Sequence, residues 1–386
     1  MDSWSTAPTD LLELIFENLG NNFRDCMRFG AVCEEWRSLA AEKRAHVLPR
    51  IMAMIHDENN ADKGVFFNFL STANMCEIPL LEIQGKMCFG SNNGWLTIVD
   101  KSSAEISLLN PLTKNQILLP SISLVIQDLR EKNMLLEYEA LPLESSTEEN
   151  RDVKNITKAI VSFSSGSDYI VTILLRNSES IPYYWSRDEK WSLCGASTNR
   201  IEDIIYHKEK VYVMNSWKFQ VIDLNNPNLT KDWTYFQTAD EALLYGNGQP
   251  DKTYWVESLE NELLKIIRYV VYDDVYLYGW KRFSTVGFEV FMLHESTKSW
   301  VKVHDLGHQV LFLGLNEICL MATSVPECMP NSIYFTDYKP TNNWRDMGVF
   351  NMKDQSIKPL CENPPFMHKP TTWFTPNLLL LNGVKA

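Results

Sequence analysis

A small helical module joined to a large all-β domain is what this sequence predicts: an α+β multidomain chain whose β part folds as a propeller. Two observations carry that prediction. Apolar residues recur at helical spacing within residues 1–45, and beyond them that periodicity largely gives way to short strand-like runs separated by turn residues. Those runs repeat one unit, an apolar strand, a polar turn and an aromatic or aliphatic restart, which is the pattern of stacked β-hairpins. Composition agrees. Apolar residues make up 45% of the 386, with 12 Trp, and charged residues are 22%, too few for a disordered or coiled-coil chain.

The helical part comes first. Across residues 8–19, Leu11, Leu12, Ile15, Phe16 and Leu19 form one stripe, Pro8 suits the first turn, and Gly20 stops the helix. A second helix is expected over 23–29 and a third over 33–42, with Val32, Trp36, Leu39 and Ala40 inward. Three such short helices bury little surface, and a module of this size holds only a few kcal/mol without a metal, a disulfide or a partner. On periodicity alone, their leftover apolar surface either meets another protein or caps the β domain.

The repeating unit reads as Ile106 to Ile117, then Val221-Ile222-Asp223-Leu224 with Leu229 to Trp233, then Val290 to Trp300. Weaker copies run from Tyr184 to Trp191 and from Val349 to Ile357. The restarts at Ile117, Trp191, Trp233, Trp300 and Ile357 lie 74, 42, 67 and 57 residues apart. A four-stranded blade needs roughly 40–50 residues, so the longer intervals imply insertions or an unmarked blade. An irregular β-sandwich is the rival architecture. Trp185, Trp191, Trp233 and Trp300 are expected in the core between blades, whereas Tyr183, Tyr184, Tyr276, Tyr278 and Trp280 are candidates to line an exposed face for a partner peptide. Residues 126–154 carry eight acidic and four basic side chains and read as a surface insertion, part helix, most mobile over 145–150.

Two resemblances sharpen this reading. The string Pro8-Thr9-Asp10-Leu11-Leu12-Glu13-Leu14-Ile15, then Leu19, then Arg28-Phe29-Gly30-Ala31-Val32-Cys33-Glu34-Glu35-Trp36-Arg37-Ser38-Leu39-Ala40, resembles an F-box over most of residues 4–42. It departs at Ala7, where that family usually has Leu. The resemblance implies that Pro8, Leu11, Leu12, Ile15, Leu19, Val32, Cys33 and Trp36 form or support an interface with a Skp-type adaptor. In the β part, Gly90 to Leu96, Asn110-Pro111-Leu112-Thr113 with Leu119-Pro120, Gly287 to Phe291, Leu311 to Gly314 and Ser332 to Asp337 resemble the plant domain-of-unknown-function 295 group. Its members pair an F-box with a kelch-like β-propeller. The division this implies is an F-box over 1–45, a connector with a candidate first strand over 46–64, and the propeller over 65–386.

Catalytic and ligand-binding motifs give little. His304 and His308 have the spacing of a helical zinc pair but lack the intervening Glu and follow a strand. Gly246-Asn247-Gly248-Gln249-Pro250 lacks the Lys and Ser/Thr of a phosphate-binding loop, and no nucleophile elbow exists. The eight cysteines are scattered, with no CxxC pair, and read as reduced apolar residues. No cofactor and no metal are expected. The net charge of −13 disfavours nucleic acid and anionic membrane and favours basic partners. The acidic, polar start does not read as a signal peptide, and the longest apolar run, 378–381, is far short of a membrane span. The sequons at Asn155 and Asn228 therefore read as chance matches, and the expected location is cytosol, nucleus or both.

The resemblances thus imply a substrate-recognition subunit of an SCF-type cullin–RING ubiquitin ligase. The F-box would hold the adaptor, and through it a cullin, while the propeller would hold a protein client. The alternatives are a non-degradative F-box scaffold that joins no ligase and a propeller that binds a glycan or small ligand.

Overall fold

A computed structural model of the chain describes residues 7–19, 23–30, 32–43, 50–57, 60–67, 75–79, 81–111, 114–135, 151–163, 168–194, 201–214, 218–225, 234–235, 248–277, 280–325, 328–339, 344–360 and 371–375. Three helices open it: α1 (Thr9–Asn18), α2 (Phe23–Gly30) and α3 (Glu34–Lys43). They match the expected helices to within a residue or two. Pro8 sits at the cap of α1, where its carbonyl accepts from the Leu11 and Leu12 amides at 3.0 and 3.1 Å and its missing N–H costs nothing.

The rest is β-sheet. The first sheet contains β1 (Arg50–Asp57), β2 (Asn60–Phe67) and β3 (Met75–Pro79), so the stretch 46–64 holds β1 and the first half of β2. The second comprises β4 (Lys86–Asn92), β5 (Trp95–Asp100), β6 (Ile106–Leu109) and β7 (Gln116–Leu118). After helices α4 (Ser123–Glu131) and α5 (Arg151–Asn155) comes the third: β8 (Ile156–Phe163), β9 (Tyr169–Leu175), β10 (Ile181–Trp185) and β11 (Lys190–Cys194). The fourth is β12 (Asp203–His207), β13 (Lys210–Met214), β14 (Lys218–Ile222) and β15 (Thr234–Tyr235). The fifth is β16 (Gln249–Glu257), β17 (Leu263–Leu277), β18 (Trp280–His294) and β19 (Ser299–Val303). The sixth has five strands, β20 (Gln309–Leu313), β21 (Ile318–Met321), β22 (Ser332–Lys339), β23 (Trp344–Asn351) and β24 (Ile357–Pro359). Finally β25 (Thr371–Phe374) pairs with β1, so the C-terminal strand completes the first sheet.

Successive sheets meet through their inner strands, β25 with β4, β4 with β8, β8 with β12, β12 with β16 and β16 with β21. Apolar clusters fill the gaps. One joins the second and third sheets through Trp95, Val161 and Tyr169, and another joins the sixth to the first through Phe312, Tyr334, Ile51 and Trp373. Trp373 sets its ring edge-on to Phe312 at 5.0 Å and donates Nε1–H to the Leu313 carbonyl at 2.9 Å. The ring is therefore closed, and the propeller expectation holds over the sandwich. Middle strands are packed on both faces by neighbouring blades, so they read as continuous apolar runs. All seven residues of β9, YIVTILL, are buried.

The repeating unit is the outer hairpin of a blade. Leu108 pairs with Ile117, Tyr184 with Trp191, Leu293 with Trp300 and Phe350 with Ile357, an equivalent register in four sheets. Trp233 lies outside the described residues. The hairpin β2–β3 carries no such restart, which is why the first blade left no mark in the sequence.

The insertion over 126–154 needs correction. Its flanks are not a solvated excursion: Ile126 and Leu129 of α4 and Val153 of α5 are buried in the cluster between the second and third sheets. Arg130 pairs with Asp152 at 2.7 Å and ties the two helices together. Apolar residues at Ile122, Ile126 and Leu129 give α4 one buried face, while its charges occupy the other, so a charge count misses it. Residues 136–150, including 145–150, lie outside the described residues.

Two local features fix the second blade. Asn93 and Gly94, at φ 50° and 79°, form the two-residue turn between β4 and β5, a conformation that favours this residue pair. Gly90 lies on a bulge where β4 crosses β8, and a Cβ there would sit 2.0 Å from the Ala159 carbonyl oxygen. Backbone cannot yield as a side chain can, so Gly90→Ala is expected to lower stability by about 3 kcal/mol, read as a lower urea midpoint at unchanged slope.

Candidate functional site

Two regions carry the features from which function can be argued: the helical module and the axis of the propeller. In the module, Leu12, Phe16, Cys26, Phe29, Trp36, Leu39 and Ala40 form a core, with Ala7, Ile15, Leu19 and Cys33 packed against it. Phe29 is its hub, edge-on to Phe16 at 5.0 Å and 4.4 Å from the Trp36 ring. Arg37 Nε donates to the Gly30 carbonyl at 3.1 Å and locks α3 to the end of α2. Cys33 Sγ donates to Glu35 at 3.1 Å, which holds that carboxylate below its ordinary value.

The eight residues expected at an adaptor interface fall into three layers. Leu12 and Trp36 are buried and belong to the core. Ile15, Leu19 and Cys33 are half-buried. Pro8, Leu11 and Val32 face outward, Leu11 at 43% and Val32 at 51% exposure. Val32 is thus a correction, since it was expected inward. It precedes α3 with its amide bonded to the Phe29 carbonyl at 3.1 Å, which places it in the connecting turn. Leu14, 57% exposed, was missed; it lies three residues from Leu11 on the same face of α1. Leu at a position facing solvent in a module this small is the signal that could have found it.

At the propeller axis, the loop between β20 and β21 reaches the inner strands of the other sheets. Asn316 Nδ2 donates to the Trp373 carbonyl at 2.8 Å and to the Ser91 carbonyl at 3.1 Å, and its Oδ1 accepts from Thr372 Oγ1 at 2.6 Å and the Trp373 amide at 2.9 Å. Glu317 and Asp203 each accept from Lys158 Nζ at 2.8 Å, and Lys252 Nζ donates to the Gly314 carbonyl at 3.0 Å. One loop therefore links all six sheets. Burial alone would favour a neutral Lys158, but the Asp203 and Glu317 carboxylates outweigh it and hold the ammonium above the ordinary lysine value. Burial pushes Glu317 up from the usual carboxylate range, against the pull of Lys158.

Two cavities border the loop. One, of about 380 Å³, is lined by Glu202, Asp203, Asp251, Lys252, Trp255 and Glu317. The other, of about 330 Å³, takes in Asn92, Ser162, Tyr206, Glu257 and Asn316. Cys319 also lines the second. Burial pushes the Cys88, Cys194 and Cys319 thiols up to about 12, which makes them poor nucleophiles at neutral pH. His304 and His308 lie on an exposed turn, and the described residues contain no cluster of metal-ligating side chains. Tyr183 and Tyr184, candidates for an exposed aromatic face, are buried between blades instead; the side chains of Tyr276, Tyr278 and Trp280 lie outside the described residues. No described helix is long and apolar enough to cross a membrane.

A closed ring of blades, antiparallel except where β20 pairs with β22, following a three-helix module in the chain narrows the family, and residues 66–351 match the model of the KIB1-4 beta-propeller. The chain belongs to the KIB1-4 β-propeller family. The match spans most of the blades, while β1 and the closing strand β25 lie outside it. This KIB1-4 propeller is similar along nearly its whole length to two named Arabidopsis thaliana proteins. It is 25% identical to F-box protein At2g17036 over 97% of this chain and 95% of that one, and 24% identical to F-box protein SKIP23 over 97% and 96%. Among solved structures, YCF48 from Cyanidioschyzon merolae aligns with a TM-score of 0.33 at 11% identity, over 62% of this chain and 66% of that one.

Proposed function

We propose that this chain is a substrate-recognition subunit of an SCF-type cullin–RING ubiquitin ligase, in which residues 1–45 act as an F-box that holds a Skp-type adaptor and the propeller holds a protein client. The observation that carries the reading is the outward apolar set Pro8, Leu11, Leu14 and Val32 on a module too small to be robust alone. Relatives named as F-box proteins over nearly the full length support it. The receptor itself does no bond chemistry. It holds the client near a ubiquitin carrier supplied by the assembly, so the rate gain is one of proximity.

The layering separates interface residues from supporting ones. Leu11→Asp with Leu14→Asp changes only exposed positions, so folding stability is expected to hold within about 0.5 kcal/mol. Adaptor affinity is expected to fall by at least about 2 kcal/mol, the loss of one hot spot. Trp36→Ala removes a core side chain worth about 3–5 kcal/mol and is expected to unfold the module. Co-purification with the adaptor, alongside thermal melting, checks both. Undiminished capture by the double Asp variant would refute the interface.

A further inference from the structure

We infer that the seam between the fourth and fifth blades is a proton-operated clasp, in which His207 holds the two blades together more tightly when its ring carries a second proton. His207 ends β12 and is buried. It lies against the apolar cluster that Tyr212, Met214 and Phe219 of the fourth blade build with Trp255, Leu263 and Trp300 of the fifth. Neither ring nitrogen has a hydrogen bond. Each faces a carboxylate of the fifth blade instead. Nδ1 is 3.1 Å from Glu257 Oε2, off the line of a hydrogen bond, and Nε2 is 3.9 Å from Glu295 Oε1.

Among the described residues, the charged and titratable groups around this ring come from four elements. Lys208 and Glu209 follow it in the chain, and Lys210 stands opposite it on β13, where Tyr212 also sets its ring edge-on at 5.3 Å. Glu257 comes from β16, and Glu295 with Lys298 from the turn between β18 and β19. Lys208 donates to Glu295 at 2.5 Å, which chiefly holds that carboxylate below its ordinary value, with His207 and Lys298 adding to the effect. Burial, and then Glu295 and Glu257, push the Tyr212 phenol up. Both carboxylates therefore act on one pocket.

Donor arithmetic gives the clasp its direction. A neutral imidazole has one N–H and one lone pair, so in either tautomer one nitrogen turns a lone pair toward a carboxylate. The imidazolium donates from both nitrogens and meets both carboxylates. Burial alone would favour the neutral ring, whereas the two carboxylates favour the charged one. The Glu257 and Glu295 side chains are 34% and 50% exposed, so each can turn onto the ring without moving the core. The charged form thus gains contacts on folding that the neutral form lacks. Stability drawn from it grows as pH falls through the histidine range, about 6.5 in an unfolded chain, and is lost as pH rises. Glu295, held below the ordinary carboxylate value, stays charged across that range. Glu257 also lines the cavity of about 330 Å³, so the proton on His207 offsets a negative charge in that wall.

The clasp lies wholly within the propeller, so its test is independent of adaptor capture. The test is amide exchange on the full-length chain at about pH 8 and about pH 5.5, either side of the histidine range, corrected for intrinsic rates. Protection at residues 203–207 and 253–257 is expected to rise about tenfold at the lower pH, relative to β9 in the third blade. His207→Gln removes the titrating ring and is expected to lose that rise. Glu257→Gln combined with Glu295→Gln keeps the ring and changes only part-exposed side chains. It is expected to lose the rise as well, which keeps the test decisive where His207→Gln does not fold. No rise in the parent, a rise of the same size in β9, or a rise that survives in either variant would overturn the inference.

Discussion

Lys158→Met is expected to lower stability by about 3–5 kcal/mol, because it leaves two carboxylates buried without their shared cation. Lys158, Asp203 and Glu317 side chains are only 10%, 11% and 8% exposed, so water cannot take over. Asp203→Asn and Glu317→Gln added to Lys158→Met are expected to restore much of the loss, since the neutral set has no unpaired charge. The pH dependence has a definite sign. Lys158 has a raised folded-state value, so its contribution is complete below the unfolded lysine value of about 10.4 and is lost as pH rises through the folded value. Urea midpoints of parent and variant should therefore differ by a constant amount from neutrality to about pH 10 and converge above it. A variant as stable as the parent at pH 7 would show that the cluster does not hold the axis.

Asn316→Ala is expected to cost about 4 kcal/mol and to loosen the closing strand first. The side chain makes four hydrogen bonds, three of them to Thr372 and Trp373 of β25. Its removal takes a partner from both the amide and the carbonyl of Trp373, a residue that is fully buried, and a hydrogen bond lost at a buried polar group costs about 1–3 kcal/mol. Because β25 joins the first sheet from the far end of the sequence, its release opens the ring. Amide exchange at residues 371–374 should accelerate by more than exchange in β9, which is buried throughout. Equal acceleration in both strands would indicate that Asn316 contributes to the whole ring and has no special hold on its closure.

What was legible in the sequence follows from how local its cause is. The helices of the module came from 3.6-residue spacing, and four outer hairpins came from a strand–turn–strand unit contained within a dozen residues. Gly90, Asn316 and Lys158 were not legible, because their roles depend on partners 69, 57 and 45 residues away in sequence: Ala159, Trp373 and Asp203. The Lys158–Glu317 contact spans 159 residues. For the adaptor face, resemblance named the residues, but only packing could sort them. Leu12 and Leu11 are neighbours in one apolar stripe, yet one is 3% and the other 43% exposed. A stripe wider than the small core can cover leaves its margin outside, and that margin is the candidate interface.

The most direct test of the receptor reading is co-expression of residues 1–386 and of 46–386 with a Skp-type adaptor, followed by pull-down. The shorter chain starts after α3 and keeps every strand from Arg50 onward. Capture of the full chain and loss of capture on truncation, with the truncated propeller still melting cooperatively, is the expected result. Failure of both chains to bind, or equal capture of both, would contradict the account and leave the helical module without an adaptor-binding role.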